Sequence, residues 1–322
     1  MKVFFYFVML CVVGALGVGI FALDYVNGPG PSSAQTSILF ERGKGFEAMS
    51  DELAQQGVIE HPLWFKAIAV ALGDARKFKA GEYQFPASIT PHAVMAMMAQ
   101  GKVVQHKLTV AEGLNVREVL KLVQDEPALE GDLPAPVKEG SLLPETYLFT
   151  RGMKRTELVA LMQKAMTNTL KAAWDKRTSG LPYDTAQKAL IMASIVEKET
   201  GLPQERPHIA SVFVNRLRKN IRLQTDPTVV YGVEQADNAP MARSLTLNDL
   251  HTPTPYNTYT IDGLPPGPIC NPGKASIEAA VNPAQSDDLY FVATGSGGHR
   301  FAQTLEQHNR NVVAYRAKMA GR

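Results

Sequence analysis

Cysteine is nearly absent. The 322-residue chain carries two, Cys11 and Cys270, and Cys11 falls inside the first apolar run. That excludes a disulfide within the folded part and a thiolate zinc site. Metal-ligand spacing is missing too: the seven histidines are scattered, with no HExxH and no His/carboxylate cluster, which argues against a metal enzyme. No cofactor is called for. Long runs of one charge are also lacking. The net charge is +2, and no Lys/Arg block is long enough for a nucleic-acid patch. A polyanion held by bulk charge is not expected as a partner, and neither is nucleic acid; a neutral or mixed-charge substrate fits better. Repeats are absent. With 45% hydrophobic and 20% charged residues the composition is that of a folded chain rather than a disordered one. The length suits one large domain plus a smaller one.

What is present begins at the N-terminus. Val3 to Leu23 contains no charge, close to the ~20 residues a bilayer-spanning helix needs. Lys2 precedes it and Asp24 follows. The positive end favours the cytoplasmic side, which places the rest of the chain outside. A cleaved signal peptide is the alternative, but its apolar core is usually ~7–15 residues with small residues at the cut. Ile20-Phe21-Ala22 is a poor site of that kind. We therefore expect a retained anchor at 1–24 and a Gly/Pro/Ser linker at 25–35.

Beyond the linker the pattern predicts an α+β chain. A strand over Thr36–Phe40, helices from Phe46 and from Pro62, and a returning strand over 80–85 make a compact βααβ unit. A helix over 91–100 and a strand over 103–110 follow. From Thr156 onward the periodicity is mostly helical: Glu157 to Trp174, a helix after Asp184 as N-cap, and one over about Pro207–Lys219. Leu223 to Pro272 is dominated by Pro, Gly, Asn, Thr and Tyr with little periodicity. A loop of that length inside a compact domain is usually functional. A strand at Tyr290–Ala293 and a helix near Leu305–Lys318 close the chain.

The best chemical candidate is the helix segment Ile191 to Thr200, IMASIVEKET. Glu199 shares its face with Val196, Ile195, Met192 and Ile191. A carboxylate there is poorly solvated, so its neutral form is favoured and it can donate a proton to a leaving oxygen, as the glutamate of lysozyme does. Glu197 points about 200° away round the helix, so the two cannot serve one bond from one face. The alternative is that both are solvated charges at a helix end, a placement that the helix dipole disfavours. Two further clusters, Asn215-Arg216 with Leu223 to Thr228, and Thr254 to Ile269, set aromatics among amides and hydroxyls in Pro/Gly loops. That suits sugar rings and acetamides, although plain loop punctuation would look the same. Gly295-Ser296-Gly297-Gly298 lacks the Walker lysine and the nucleophile-elbow spacing, and Ser194 has no histidine near it in sequence.

At these residues the chain resembles the MltG (YceG-like) family of endolytic murein transglycosylases. The matching words are ASIVEKET (Ala193–Thr200), VFVNRL (Val212–Leu217), LQTDPTVVYG (Leu223–Gly232), TPYNTYTIDGLPPGPICNPG (Thr254–Gly273) and GGHRF (Gly297–Phe301). EGSLLPETY (Glu139–Tyr147) matches less closely, with Glu145 where the family usually has Asp. The likeness covers nearly the whole chain. It implies that Glu199, the second glutamate of VEKET, is the catalytic acid. It also implies a LysM-like small domain over 36–106, and a mostly helical catalytic domain with long ordered loops over 107–322. Glu197, Asn215, Gln224, Thr225, Asp226, Tyr256, Asn257 and Tyr259 stand as candidate substrate contacts. The implied reaction is lytic cleavage of the MurNAc–GlcNAc bond in nascent peptidoglycan strands, leaving 1,6-anhydro-MurNAc. Implied partners are glycan strands, the bacterial inner membrane through one helix, and peptidoglycan synthases. A non-catalytic glycan-binding tether and a hydrolytic muramidase, with Asp226 as second carboxylate, are the alternatives.

Overall fold

The computed structural model describes residues 1–320. The chain divides into two compact units, Met1–Lys107 with Leu148–Met153, and Leu108–Tyr147 with the chain from Lys154 onward.

The first unit opens with α1 (Lys2–Asn27), which is long and apolar enough to cross a membrane and leaves its apolar window unburied. It runs past the expected end at residue 24 because its last turn has partners. Tyr25 and Val26 pack on the unit's core, and the Tyr25 hydroxyl donates to the His61 carbonyl at 3.1 Å. The Gly/Pro/Ser segment that follows lies against the chain near Ile89: the Gly30 amide donates to the Ile89 carbonyl and the Ser88 amide to that of Ser32. Next come β1 (Thr36–Phe40), α2 (Phe46–Gln55), α3 (Pro62–Ala71), β2 (Gly81–Phe85) and α4 (Pro91–Gln100). β1 and β2 are antiparallel, Thr36 opposite Phe85 and Phe40 opposite Gly81. Alternation sends Ile38, Phe40, Tyr83 and Phe85 inward, where they meet Met49 and Leu53 of α2, Phe65 and Ala69 of α3, and Met95 and Met98 of α4. Thr90 caps α4 by accepting from the Ala93 amide.

The chain passes between the units in β3 (His106–Thr109), shorter than the strand expected over 103–110. The second unit then carries α5 (Val116–Asp125) and β4 (Leu129–Glu130). β5 (Thr146–Phe149) and β6 (Met153–Lys154) are the remaining crossings, and α6 (Arg155–Asp175), α7 (Ala186–Glu199) and α8 (Arg206–Arg218) follow. α7 is the centre of this unit. Ala189 to Val196 are all buried, as expected of a helix apolar on every side, and α6, α8, α9 and α11 pack around it. Its N-cap is Thr185, whose hydroxyl accepts from the Lys188 amide at 3.2 Å. Asp184, the expected cap, instead pairs with the Lys188 ammonium one turn on.

The stretch from 223 to 272 is less irregular than its composition suggests. It contains α9 (Asp226–Asp237) and α10 (Leu247–His251). Pro227 sits in the first turn of α9, where its missing N–H costs nothing. α11 (Lys274–Val281), β7 (Tyr290–Ala293), β8 (His299–Ala302) and α12 (Leu305–Ala320) complete the unit. β7 and β8 pair antiparallel, Tyr290 opposite Ala302.

Candidate active site

Glu199 is the last residue of α7. Its carboxylate opens on a cavity of about 360 Å³ lined by Phe213, Arg216, Gln224, Asp226, Tyr259, Tyr290 and His308, among others. The Thr225 hydroxyl donates to one carboxylate oxygen. Burial pushes the Glu199 carboxyl above its ordinary range; the Thr225 hydrogen bond pulls the other way, the charge of Asp226 adds to the rise, and His299 and Arg216 oppose it. The result is a group biased toward holding its proton while facing open space.

The turn before α9 brings three candidates to this carboxylate. Gln224 adopts a left-handed conformation (φ 49°), uncommon for a residue with a side chain, and its amide donates to the Thr258 carbonyl. That reversal delivers Thr225 as N-cap of α9 without a capping hydrogen bond of its own, its hydroxyl being engaged with Glu199. Thr225 is held in turn: its amide donates to the Thr258 hydroxyl at 3.0 Å, and Thr228 Oγ1 donates to its carbonyl at 2.7 Å. Asp226 lies in the first turn of α9, where the dipole favours its charge, and accepts a 2.7 Å hydrogen bond from the Tyr259 hydroxyl. Burial, then the bond to Asp226, holds the Tyr259 phenol well above its usual range, so it remains a donor.

Of the expected contacts, Gln224, Thr225, Asp226 and Tyr259 are gathered around Glu199. The other four lie elsewhere. The Glu197 side chain is 5% exposed and bonded to Arg206 Nη2 (3.0 Å) and to the Gly273 amide (2.8 Å). Arg206 also reaches Glu112 at 2.8 Å. Gly273 lets the Glu112 carboxylate lie close, since a Cβ there would fall 1.8 Å from it and make that side chain move. Asn215 donates its amide to the carbonyls of Ser286 and Asp288. Asn257 is fully buried and donates to the carbonyls of Asp249, Leu250 and Thr252. Tyr256 packs edge-on against Tyr231, 4.8 Å between centroids. Both amides satisfy loop carbonyls that burial would otherwise orphan.

Several residues of the cleft were not among the expected substrate contacts, although Arg216 fell inside the Asn215-Arg216 cluster and His299 inside GGHRF. Arg216, 8% exposed, donates from Nε to the Leu289 carbonyl, and from Nη1 to the Arg222 and Leu223 carbonyls and to Gln224 Oε1. Its guanidinium stands 5.1 Å from the Tyr290 ring centroid. The His308 ring stacks on Tyr290 at 5.2 Å, and burial, with Arg216 nearby, lowers its pKa. Near Glu199, His299 is fixed by Glu205 through its backbone amide (2.9 Å) and ring Nδ1 (2.7 Å). An arginine on a buried face of the VFVNRL helix was the available signal: it needs acceptors, and the nearest unpaired acceptors are loop carbonyls.

The site is thus a buried glutamate with a raised pKa at the edge of a polar and aromatic cleft. The chain belongs to the YceG-like family, whose model matches residues 38–314. A relative described as an endolytic murein transglycosylase of Bacillus subtilis (strain 168) is 29% identical over 315 residues, covering 88% of this chain and 86% of the relative. One of the same description from Streptococcus pneumoniae serotype 2 (strain D39) is 27% identical over 329 residues. There the match spans 88% of this chain and 59% of that longer protein. The crystal structure of a yceG-like protein, lmo1499, from Listeria monocytogenes superposes with a TM-score of 0.52 at 31% identity, covering 87% of this chain and 99% of that one.

Proposed function

We propose that this chain is a membrane-anchored endolytic murein transglycosylase with Glu199 as its acid and then its base. The observation that carries the reading is the Glu199 carboxyl itself: buried by α7, raised above the ordinary glutamate range, and open to the cleft. Glu199 protonates the oxygen linking MurNAc to GlcNAc, and that bond breaks as charge develops at the anomeric carbon. The sugar's own acetamide stabilises this charge. Glu199, now a carboxylate steadied by the Thr225 hydroxyl, takes the proton of the 6-hydroxyl as that oxygen closes on the anomeric carbon. The product is a 1,6-anhydro-MurNAc end, and the glutamate returns to its acid form. Asp226 is occupied by Tyr259, which favours this lytic course over one with Asp226 as nucleophile or water-activating base. Gln224, Tyr259 and Tyr290 are the surfaces offered to the sugars.

In this reading α1 spans the inner membrane with Lys2 on the cytoplasmic side, and the chain beyond it lies outside. The β1–α2–α3–β2 arrangement supports a LysM-like, glycan-holding role for 36–106, with the catalytic domain over 107–322. Cutting nascent strands at the membrane would put the enzyme beside peptidoglycan synthases.

Mass spectrometry of glycan strands digested by the detergent-solubilised chain, beside Glu199→Gln, tests the proposal. Anhydro ends from the wild type alone support it. Reducing ends, heavier by one water, would make the enzyme a muramidase; products from both proteins would remove Glu199 from the chemistry.

A further inference from the structure

α3 is apolar on both sides. Phe65 and Ala69 enter the core of the first unit, whereas Leu63, Ala67, Val70 and Ala71 are exposed. These four fall at i, i+4, i+7 and i+8, one continuous stripe. Leu63 is 79% exposed and Val70 62%, and Leu72 just beyond the helix is 54% exposed. The single charge on α3, Lys66, is turned onto Glu47 and Asp51 at 2.8 and 2.7 Å, so it does not interrupt the stripe. Isolated exposed apolar residues are ordinary, but a continuous stripe marks a surface that something covers.

The end of α1 indicates what covers it. The Phe21 ring lies 5.2 Å from that of Trp64 on α3, and the Tyr25 ring 5.6 Å from that of His61 at its N-cap. Phe21 stands two residues before the apolar run ends at Leu23, about 3 Å along the helix. With α1 across a bilayer, Phe21 and therefore Trp64 sit at its boundary, where Trp and Tyr concentrate. The stripe starts beside Trp64, at Leu63. Past its far end Arg76 and Lys79 are exposed, and Lys77 between them is exposed but paired with Asp74 at 2.9 Å; this basic flank suits a helix lying on anionic headgroups.

We propose that α3 lies in the bilayer surface, with Leu63, Ala67, Val70 and Ala71 at the boundary of headgroups and acyl chains, as a second lipid attachment beside α1. The occupant is lipid because the stripe is continuous with the membrane-spanning helix and flanked by basic side chains. The inference rests on the reading of α1 as a membrane span.

Single cysteines at Leu63, Ala67, Val70, Leu16 and Ser37, in the full-length chain with Cys11→Ala, would carry an environment-sensitive fluorophore. The native Cys270 is buried. The protein would be reconstituted in vesicles of phosphatidylcholine and phosphatidylglycerol containing a lipid with a nitroxide high on its acyl chain. The expected result is quenching at 63, 67 and 70 several-fold above that at 37, an exposed position on β1. Ala67→Glu with Val70→Glu should reduce quenching at 63 without shifting the melting temperature, since both positions are exposed. Quenching at 16 while 67 and 70 match 37 would overturn the proposal and leave the anchor standing. No quenching at 16 would overturn the anchor, and the proposal with it. Label-to-label self-quenching at 67 and 70 that disappears on dilution with unlabelled chains would identify a second copy as the occupant, which also overturns it.

Discussion

Two glutamates stand two residues apart at the end of α7, and their surroundings could hardly differ more. Glu197 faces the start of α11, where Arg206 and the Gly273 amide take up both of its oxygens. Glu199 faces the cleft, where one threonine hydroxyl is its only side-chain hydrogen-bond partner among the described residues and burial raises its pKa. Burial with full partners makes a structural lock. Burial with too few raises the pKa. The helix supplies the difference through the angle between the two side chains, before any loop residue contributes.

Substitution of the two glutamates should separate chemistry from stability. Glu199→Gln is expected to lower the rate of strand cleavage by ~10²–10⁴-fold, the usual contribution of a general acid, measured as release of anhydro-muropeptides. It should not weaken the fold. A carboxyl raised on folding favours the native state fully below its unfolded pKa, and that advantage is lost as pH rises through the folded value. The Gln variant should therefore melt with the wild type in acid and above it in mildly alkaline buffer. An equal melting temperature at every pH would mean that Glu199 is not desolvated.

The lock should behave in the opposite way. Arg206→Met leaves Glu197 buried without its cation beside Glu112, and breaking such a pair costs ~3–5 kcal/mol. That corresponds to a melting temperature lower by roughly 10 °C, with activity per folded molecule retained in the cold. Glu197→Gln should cost less, ~1–3 kcal/mol. A Glu197→Gln enzyme that folds normally but fails to cut would reverse the two roles. Tyr259→Phe, which frees Asp226, is expected to reduce kcat/KM about tenfold, equivalent to ~1.4 kcal/mol. Appearance of reducing ends in that variant would show that releasing Asp226 admits hydrolysis.

Much of this was legible in the sequence where local pattern decides. The alternation in TSILF gives β1, the apolar block of α7 gives its burial, and the position of Glu199 on that helix follows from the 3.6-residue repeat. Partnerships across long separations were not legible. Arg206 lies nine residues from Glu197, and Glu112 a further 85 or so, too far for any periodicity to link them. α9 was hidden because Asp-Pro-Thr-Val-Val-Tyr-Gly combines a proline with β-branched residues and a glycine, composition that suggests a loop, while Pro227 in the first turn is helix-compatible. Asn215 and Asn257 looked like sugar contacts because amides suit acetamides. Buried loop carbonyls make the same demand, and in this fold they took both.

The smallest expected effect tests the weakest element of the acid site. Thr225 donates to Glu199, and a hydrogen bond to the charged form favours that form. Thr225→Val removes the donor with little change in shape, so the Glu199 pKa should rise further. The acid must be protonated to start the reaction, so the alkaline limb of the pH–rate profile should move to higher pH. The second half needs the carboxylate as base, and there the missing hydrogen bond stabilises nothing, so the maximal rate should change by less than about tenfold. A limb that moves to lower pH would mean that the hydroxyl supports the neutral acid, with Thr225 accepting the glutamate's proton. The donor and acceptor in that contact would then be exchanged, and the carboxyl would have to release Thr225 before its single proton could reach the leaving oxygen.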